Sequence, residues 1–114
     1  MTAASRAPAG QNRLVLTAQV VERAAMRYTP AGLPAVDVRL AHESTLLHDG
    51  APRRISLEIH ATAIGELARS LERMAVGKTA EFSGFLARQR NGRGLMLHID
   101  QIADRCNDSV STEE

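Results

Sequence analysis

The chain of 114 residues is poor in cysteine, and it lacks long apolar runs. Its single cysteine, Cys106, excludes an internal disulfide and suits a reducing compartment. The histidines at positions 42, 48, 60 and 98 do not have the spacing of metal ligands, so we expect neither a metal site nor a cofactor. No apolar run is long enough to span a bilayer and the N-terminus has no signal-peptide core, which predicts a cytoplasmic location without membrane partners.

Aromatic side chains and net charge are also low. Two phenylalanines, one tyrosine and no tryptophan leave few platforms on which bases could stack. The formal net charge of +1 provides no overall basic field. The hydrophobic content of 44% still supports a core, and the length fits one small domain that would gain stability by oligomerisation.

Apolar residues that alternate with polar ones predict five β-strands. The strands are Arg13 to Val21, Pro34 to His42, a third with Ile55, Leu57 and Ile59 on its inner side, Phe82 to Ala87, and Leu95 to Ile99. The last two read as a hairpin with a turn at Asn91-Gly92. Residues 43–53 read as a polar loop, in which Leu46 and Leu47 form either a patch for a partner or a small loop core.

One segment changes from a period of two to a period of 3.6, which predicts a helix from about Ala63 to Met74 with Thr62 as its N-cap. Five strands with one short helix between strands three and four predict an all-β, five-stranded OB-fold barrel over residues 12–104. Other Greek-key arrangements are less economical. Residues 1–11 and 105–114 are predicted to be disordered.

Arginines are concentrated where an OB-fold barrel binds nucleic acid. That groove crosses strands two and three, between the loop joining strands one and two and the loop joining strands four and five. Arg23 and Arg27 lie in the first loop, Arg88, Arg90 and Arg93 in the second, and Arg39 and Arg54 on the floor. Guanidinium groups match phosphate oxygens, so these residues are candidate DNA ligands. A solvated hairpin with surface arginines is the alternative.

Five stretches resemble the primosomal replication protein N family. They are NRLVL at 12–16, RYTPAGLP at 27–34, LAHES at 40–44, SGFLA at 83–87, and LMLHIDQI at 95–102. The resemblance is in register over residues 12–104. It implies a homodimeric OB-fold relative of bacterial single-stranded DNA-binding protein, without catalytic activity, that binds single-stranded DNA and the replication-restart helicase.

The resemblance also extends to individual DNA contacts. The family's basic positions match Arg53, ahead of strand three, and the arginines of the second loop. Its two groove aromatics are absent, because Ser56 occupies the tryptophan position of strand three and Ala51 or Pro52 the phenylalanine position. Stacking on an aromatic is worth roughly 1–3 kcal/mol per base, so DNA binding here must depend on phosphate contacts and arginine stacking.

The residues and the resemblance allow four functions. The resemblance predicts an accessory protein of the replication-restart primosome that bridges single-stranded DNA and the helicase. The alternative is an OB module that binds the helicase or itself and has only weak DNA affinity. A general strand-coating protein is disfavoured because the tail NDSVSTEE lacks clustered acids and an apolar tip. An enzyme is disfavoured because Glu58 and His60, a possible acid-base pair, have no nucleophile beside them.

Overall fold

The computed structural model describes residues 10–89 and 92–104. Its elements are β1 Leu14–Arg23, β2 Arg27–Tyr28, β3 Pro34–His48, β4 Ala51–Ile64, α1 Glu66–Arg73, β5 Thr79–Arg88 and β6 Leu95–Asp104. Residues 10 and 11 are in no helix or strand, and the rest of the two predicted disordered tails lies outside the described residues.

The five long strands close into a barrel. The strand order is β1-β5-β6-β4-β3-β2, and an additional pairing of β1 with β3 joins the ends. β1 pairs with β5 from Leu14 to Gln19 and with β3 from Gln19 to Arg23. The β4–β6 pairing is parallel and the others are antiparallel. The predicted OB-fold class is therefore confirmed, with the two-residue β2 as an addition in the first connection.

The barrel interior is filled by apolar side chains of the alternating strands, but the prediction for strand three is wrong at Leu57, which is 39% exposed because β4 has left the barrel there. The largest fully buried ones are Phe82, Leu40, Leu71, Leu97, Val20 and Val36. Helix α1 lies at one end of the barrel and buries Ala68 and Leu71. Burying each large apolar side chain contributes about 1.5–3 kcal/mol, so this closed core is the main source of stability.

The predicted start of the helix is wrong. β4 continues to pair with β3 as far as Ile64, opposite Ala35, and Thr62 is a buried strand residue whose hydroxyl donates to the Val36 carbonyl at 3.4 Å. The helix begins at Glu66, after Gly65 with a φ of 81°. A positive φ is readily available to glycine, which lets the chain turn from strand to helix there.

The predicted polar loop over residues 43–53 is also wrong. β3 and β4 remain paired up to His48 and Ala51, and Asp49 and Gly50 join them with φ angles of 59° and 79°. β3 pairs with β1 only up to Ala41, and β4 pairs with β6 only from His60. Residues 42–59, here called the arm, are therefore a two-stranded ribbon outside the barrel.

The β5–β6 hairpin is present as predicted, with longer strands. Residues 89–94 connect them, so the connection is longer than a two-residue turn, and Asn91 lies outside the described residues. Within the ladder, Ser83 pairs with Gln101 and Gly84 with Ile99, which leaves Asp100 as an extra residue. The Asp100 carboxylate accepts a hydrogen bond from Arg13 at 2.8 Å.

At Gly84, the backbones of β5 and β6 lie so close that no room is left for a side chain. A Cβ built there would overlap the backbone carbonyl of His98, which cannot move without disturbing the ladder. Gly84→Ala should therefore destabilise the barrel by about 1–3 kcal/mol, the usual cost of overpacking.

Chemical denaturation followed by circular dichroism measures this change. Gly10→Ala is the matched control, because a Cβ at Gly10 meets no heavy atom within 4 Å. Equal stability of the two variants would contradict the close approach at Gly84.

Candidate nucleic-acid interface

The strand register divides the candidate DNA ligands of β3 and β4 between two faces. Along β3, Arg39 and Glu43 share one face, and the alternating ladder adds Arg54, Ser56 and Glu58 of β4 to it. We call these five residues, together with Asp37 and with Glu22 of β1, the outer face. Ser56 is exposed and stands directly opposite Glu43.

The arginines of the outer face are ion-paired. Arg39 lies 3.5 Å from Glu22 and 3.3 Å from Glu58. Arg54 lies 3.3 Å from Glu43. These arginines lie where the sequence places the groove floor, but the carboxylates beside them cancel their charge.

Arg27, on β2, is paired in the same way. Its guanidinium donates two hydrogen bonds to the Asp37 carboxylate, at 3.1 and 3.2 Å. Partial burial opposes the ionisation of Asp37 and would raise its pKa. Hydrogen bonds from Arg27 and Thr62, together with the charges of Arg27 and His60, outweigh the burial, so the pKa of Asp37 is lowered. Arg23 donates instead to the Met74 carbonyl at the end of α1, which ties the first loop to the helix.

Arg53 lies on the opposite face of the arm. It is directly opposite Leu46 in the ladder, and the alternation puts it on the same side as Ile55 and Leu57. Leu46 and Leu47 are 51% and 77% exposed, so they do not form a loop core. The side of the arm that carries Arg53 thus combines exposed apolar residues with one cation.

The edge of β4 at the base of the arm faces the β5–β6 hairpin across an open cavity. The cavity has a volume of about 440 Å³ and is lined by Leu57, Glu58, Ile59, His60, Gln89, Gly94 and Leu95. It lies where the parallel β4–β6 pairing ends, because β4 and β6 are joined only from His60 and Met96 onward. We call it the hairpin cleft.

Arginines of the β5–β6 hairpin lie near this cleft. Arg88, the last residue of β5, is exposed and pairs with Leu95, which lines the cleft. Arg93 is an exposed residue of the connection, and Arg90 lies outside the described residues. Within the described ranges, no ion pair joins Arg53 or Arg88 to another residue. The interface predicted from the sequence is thus split into paired and unpaired arginines.

His42 is a positioning residue that the sequence analysis did not identify. Its Nδ1 lies 2.7 Å from the Thr17 carbonyl, to which it donates, and its Nε2 lies 2.8 Å from the Ser44 hydroxyl. These contacts join the base of the arm to β1 just beyond the last β1–β3 backbone pair. No sequence signal indicates this role, because the point at which two strands separate depends on the tertiary register.

The outer side of β1, β5 and β6 carries a partly apolar surface. Val15 and Phe85 are 55% and 43% exposed, and the ring of Phe85 stacks on His98 with centroids 5.0 Å apart. Asn12 continues the β1–β5 ladder, because its side-chain amide exchanges hydrogen bonds with the backbone of Leu86 at 2.8 and 2.9 Å. We call the surface formed by Val15, Phe85 and His98 the β1 face.

The described part of the chain was also compared with the requirements of a metal site, an acid-base pair and a membrane span. Residues 10–89 and 92–104 contain no group of three or more His, Cys, Asp or Glu side chains that could hold a metal ion. Glu58, the acid of the possible acid-base pair, is engaged by Arg39. No helix in these ranges is long and apolar enough to cross a membrane.

Comparison with known proteins places the chain among single-strand binding proteins. Residues 12–101 match the model of a family described as another single-strand binding protein family. The replication restart protein PriB of Bordetella pertussis is 45% identical over 91 residues, which are 79% of this chain and 85% of the relative. PriB of Neisseria gonorrhoeae is 40% identical over 98 residues, covering 83% and 96%.

Solved structures of PriB and of a single-stranded DNA-binding protein have the same fold. The structure of PriB from Ralstonia solanacearum has a TM-score of 0.77 at 37% identity, and the match covers 83% of this chain and 98% of that one. A small single-stranded DNA-binding protein from Streptomyces coelicolor shares the fold, with a TM-score of 0.69 at 19% identity and coverage of 87% and 98%. The resemblance seen in the sequence is confirmed: this chain belongs to the PriB family of replication restart proteins, OB-fold relatives of the single-stranded DNA-binding proteins.

Proposed function

We propose that this protein binds single-stranded DNA in the hairpin cleft and serves replication restart as a non-catalytic accessory protein. The observation that carries the proposal is the pair of unpaired arginines, Arg53 and Arg88, on the two hairpins that border an apolar cleft. A single strand presents phosphates to the cations and base faces to Leu57 and Leu95. The relatives' names, and the family of single-strand binding proteins, support the biological role.

The bridging role is a further part of this proposal. We propose that the protein holds single-stranded DNA while binding the replication-restart helicase and other primosome proteins. The size of the outer face makes this possible, because DNA in the hairpin cleft borders it only at Glu58 and leaves Glu43 and Arg54 free for a protein. A charge-paired surface of arginines and carboxylates offers both donors and acceptors to such a partner.

The second candidate function is an interaction module with only weak DNA affinity. The ion-paired outer face and the absence of groove aromatics favour it. Salt dependence distinguishes the two functions, because each phosphate contact on a single strand adds about 0.7 to the slope of log affinity against log salt concentration.

Removal of the two unpaired arginines tests the DNA site. Arg53→Ala/Arg88→Ala should weaken binding of a labelled oligothymidylate about five- to tenfold and reduce the salt slope by about 1.4, because two phosphate contacts are lost. Fluorescence anisotropy at several KCl concentrations, with and without the restart helicase, measures both the affinity and the bridging.

Arg69→Ala/Arg73→Ala is the matched control for net charge, since it removes two arginines from the surface of α1. An equal loss in both double variants would show that only overall charge matters. An unchanged salt slope in Arg53→Ala/Arg88→Ala would exclude the hairpin cleft as the phosphate path.

The path of the strand can be followed with a new tryptophan, because the chain has none. Ser56 and Leu57 are neighbours that point to the outer face and the hairpin cleft respectively. We expect the fluorescence of Leu57→Trp to be quenched strongly by oligothymidylate, and its affinity to rise by roughly 1–3 kcal/mol from base stacking. Stronger quenching of Ser56→Trp would place the strand on the outer face instead.

We also propose that the protein is a homodimer formed through the β1 face. From Leu14 to Ala18, one edge of β1 pairs with β5, and the other edge pairs with no strand among the described residues. Val15 and Phe85 extend this open edge as an apolar surface. An open strand edge beside exposed apolar residues is suited to pairing with a second copy.

Val15→Glu should raise the dimer dissociation constant at least about tenfold, because it introduces two charges at a symmetric contact. Analytical ultracentrifugation over a concentration series measures the constant. Val76→Glu is the matched control, since Val76 is also 55% exposed but lies between α1 and β5. A monomeric wild-type protein at tens of micromolar, or equal effects of both variants, would contradict the proposal.

A further inference from the structure

Arg39 occupies an unusual place on the outer face, because a change of register brings a carboxylate opposite it. β1 contains one extra residue, Val21, between the pairs Val20–Leu40 and Glu22–Arg39. In a regular ladder without this shift of register, Val21 would stand opposite Arg39. On the other side, Arg39 pairs with His60, and Glu58 is its diagonal neighbour on the same face of β4. The guanidinium therefore has an acid on each side.

The Arg39 side chain is held in this position. It is only 37% exposed, and it borders an open cavity of about 340 Å³ that is also lined by Glu22, Arg23, Asp37 and His60. Its Nε is shielded from solvent and makes no aligned hydrogen bond, although the Glu58 carboxylate lies 3.3 Å away. The positive charge of Arg39 is thus balanced by two carboxylates within 4 Å.

A phosphate that approaches Arg39 meets those carboxylates first. Like charges at such distances repel, so a phosphate contact here requires Glu22 and Glu58 to turn away. Both acids are more than half exposed, and ion pairs between exposed side chains are weak, so the arrangement lowers the affinity without blocking the surface.

We infer that Glu22 and Glu58 are affinity-determining residues that withhold Arg39 from DNA phosphates. The inference rests on the proposed DNA binding, and it assigns to these acids the role of neutralising a cation close to the hairpin cleft, since Glu58 lines the cleft and His60 borders both the cleft and the cavity beside Arg39. The wild-type protein therefore contacts DNA phosphates with fewer arginines than its barrel carries. It also follows that replacing the two acids with isosteric amides adds one phosphate contact.

The test is a mutant cycle on the full-length chain with a fluorescein-labelled oligothymidylate of about 30 nucleotides. Glu22→Gln/Glu58→Gln should bind roughly three- to tenfold more tightly than wild type, with a salt slope steeper by about 0.7. Arg39→Gln should lower the affinity much more in this background than in the wild-type background, because only there is Arg39 available.

Glu72→Gln/Glu81→Gln is the charge-matched control, since neither acid is ion-paired with another residue in the described ranges. An equal gain in this control, or a gain that survives Arg39→Gln, would overturn the inference. If thermal unfolding shows that the double variant is unstable, Glu58→Gln alone replaces it, and a smaller gain that depends on Arg39 is expected.

The outcomes also separate the inference from the proposed function. Wild-type binding with no difference between the Gln variants and the control overturns the inference and leaves the function. Binding by Glu22→Gln/Glu58→Gln but not by wild type supports the inference and overturns the function. Absence of binding in every variant overturns both.

Discussion

β1 hydrogen-bonds to β5 along its first half and to β3 along its second half, with one extra residue where it changes direction. This double pairing closes the barrel and buries Val20 and Phe82 within it. β3 leaves β1 after Ala41, at the point where β1 bends and begins to follow β5. The free part of β3 then has only β4 as a partner, so closure of the barrel and the start of the arm coincide at this bend.

The same geometry decides which arginines are available to a ligand. Where strands are paired on both sides, an arginine has neighbours on two strands, and acids at those positions neutralise it, as with Arg39. Beyond the barrel each strand has a single partner and so fewer positions for an acid, although Arg54 of the arm is still paired with Glu43. Arg53 is opposite Leu46, and Arg88 is opposite Leu95, so neither meets a cross-strand acid. Each of the two hairpins that leave the barrel therefore carries an arginine without an ion pair in the described ranges, although the net charge is only +1.

Much of this architecture follows from the sequence because it depends on local patterns. Alternation identified the inner faces of the strands, and the period of 3.6 identified α1. Local patterns failed where two signals overlapped. Ile64 fits both the end of a strand and the start of a helix, and backbone pairing with Ala35 decides for the strand. Asp49-Gly50 is a hairpin signal of the same kind as Asn91-Gly92, but the charged residues around it resembled a loop.

The division of the arginines could not be predicted in this way. Whether Arg39 meets Glu22 depends on one extra residue in β1, and whether His42 reaches Thr17 depends on where two strands separate. Both are properties of register between segments about twenty residues apart. Sequence patterns place a residue on a face of its own strand, but they do not specify the residue opposite.

The tight Asp49-Gly50 turn also limits how the arm can change length during evolution. Opposite residues of an antiparallel ribbon alternate between hydrogen-bonded and non-hydrogen-bonded pairs, and a two-residue turn of this type closes on a hydrogen-bonded pair. Deleting one residue from each strand would leave the turn on a non-hydrogen-bonded pair, whereas deleting two from each would restore the hydrogen-bonded one. Relatives that keep this turn should therefore differ in arm length by multiples of four residues, and other differences should coincide with a different turn.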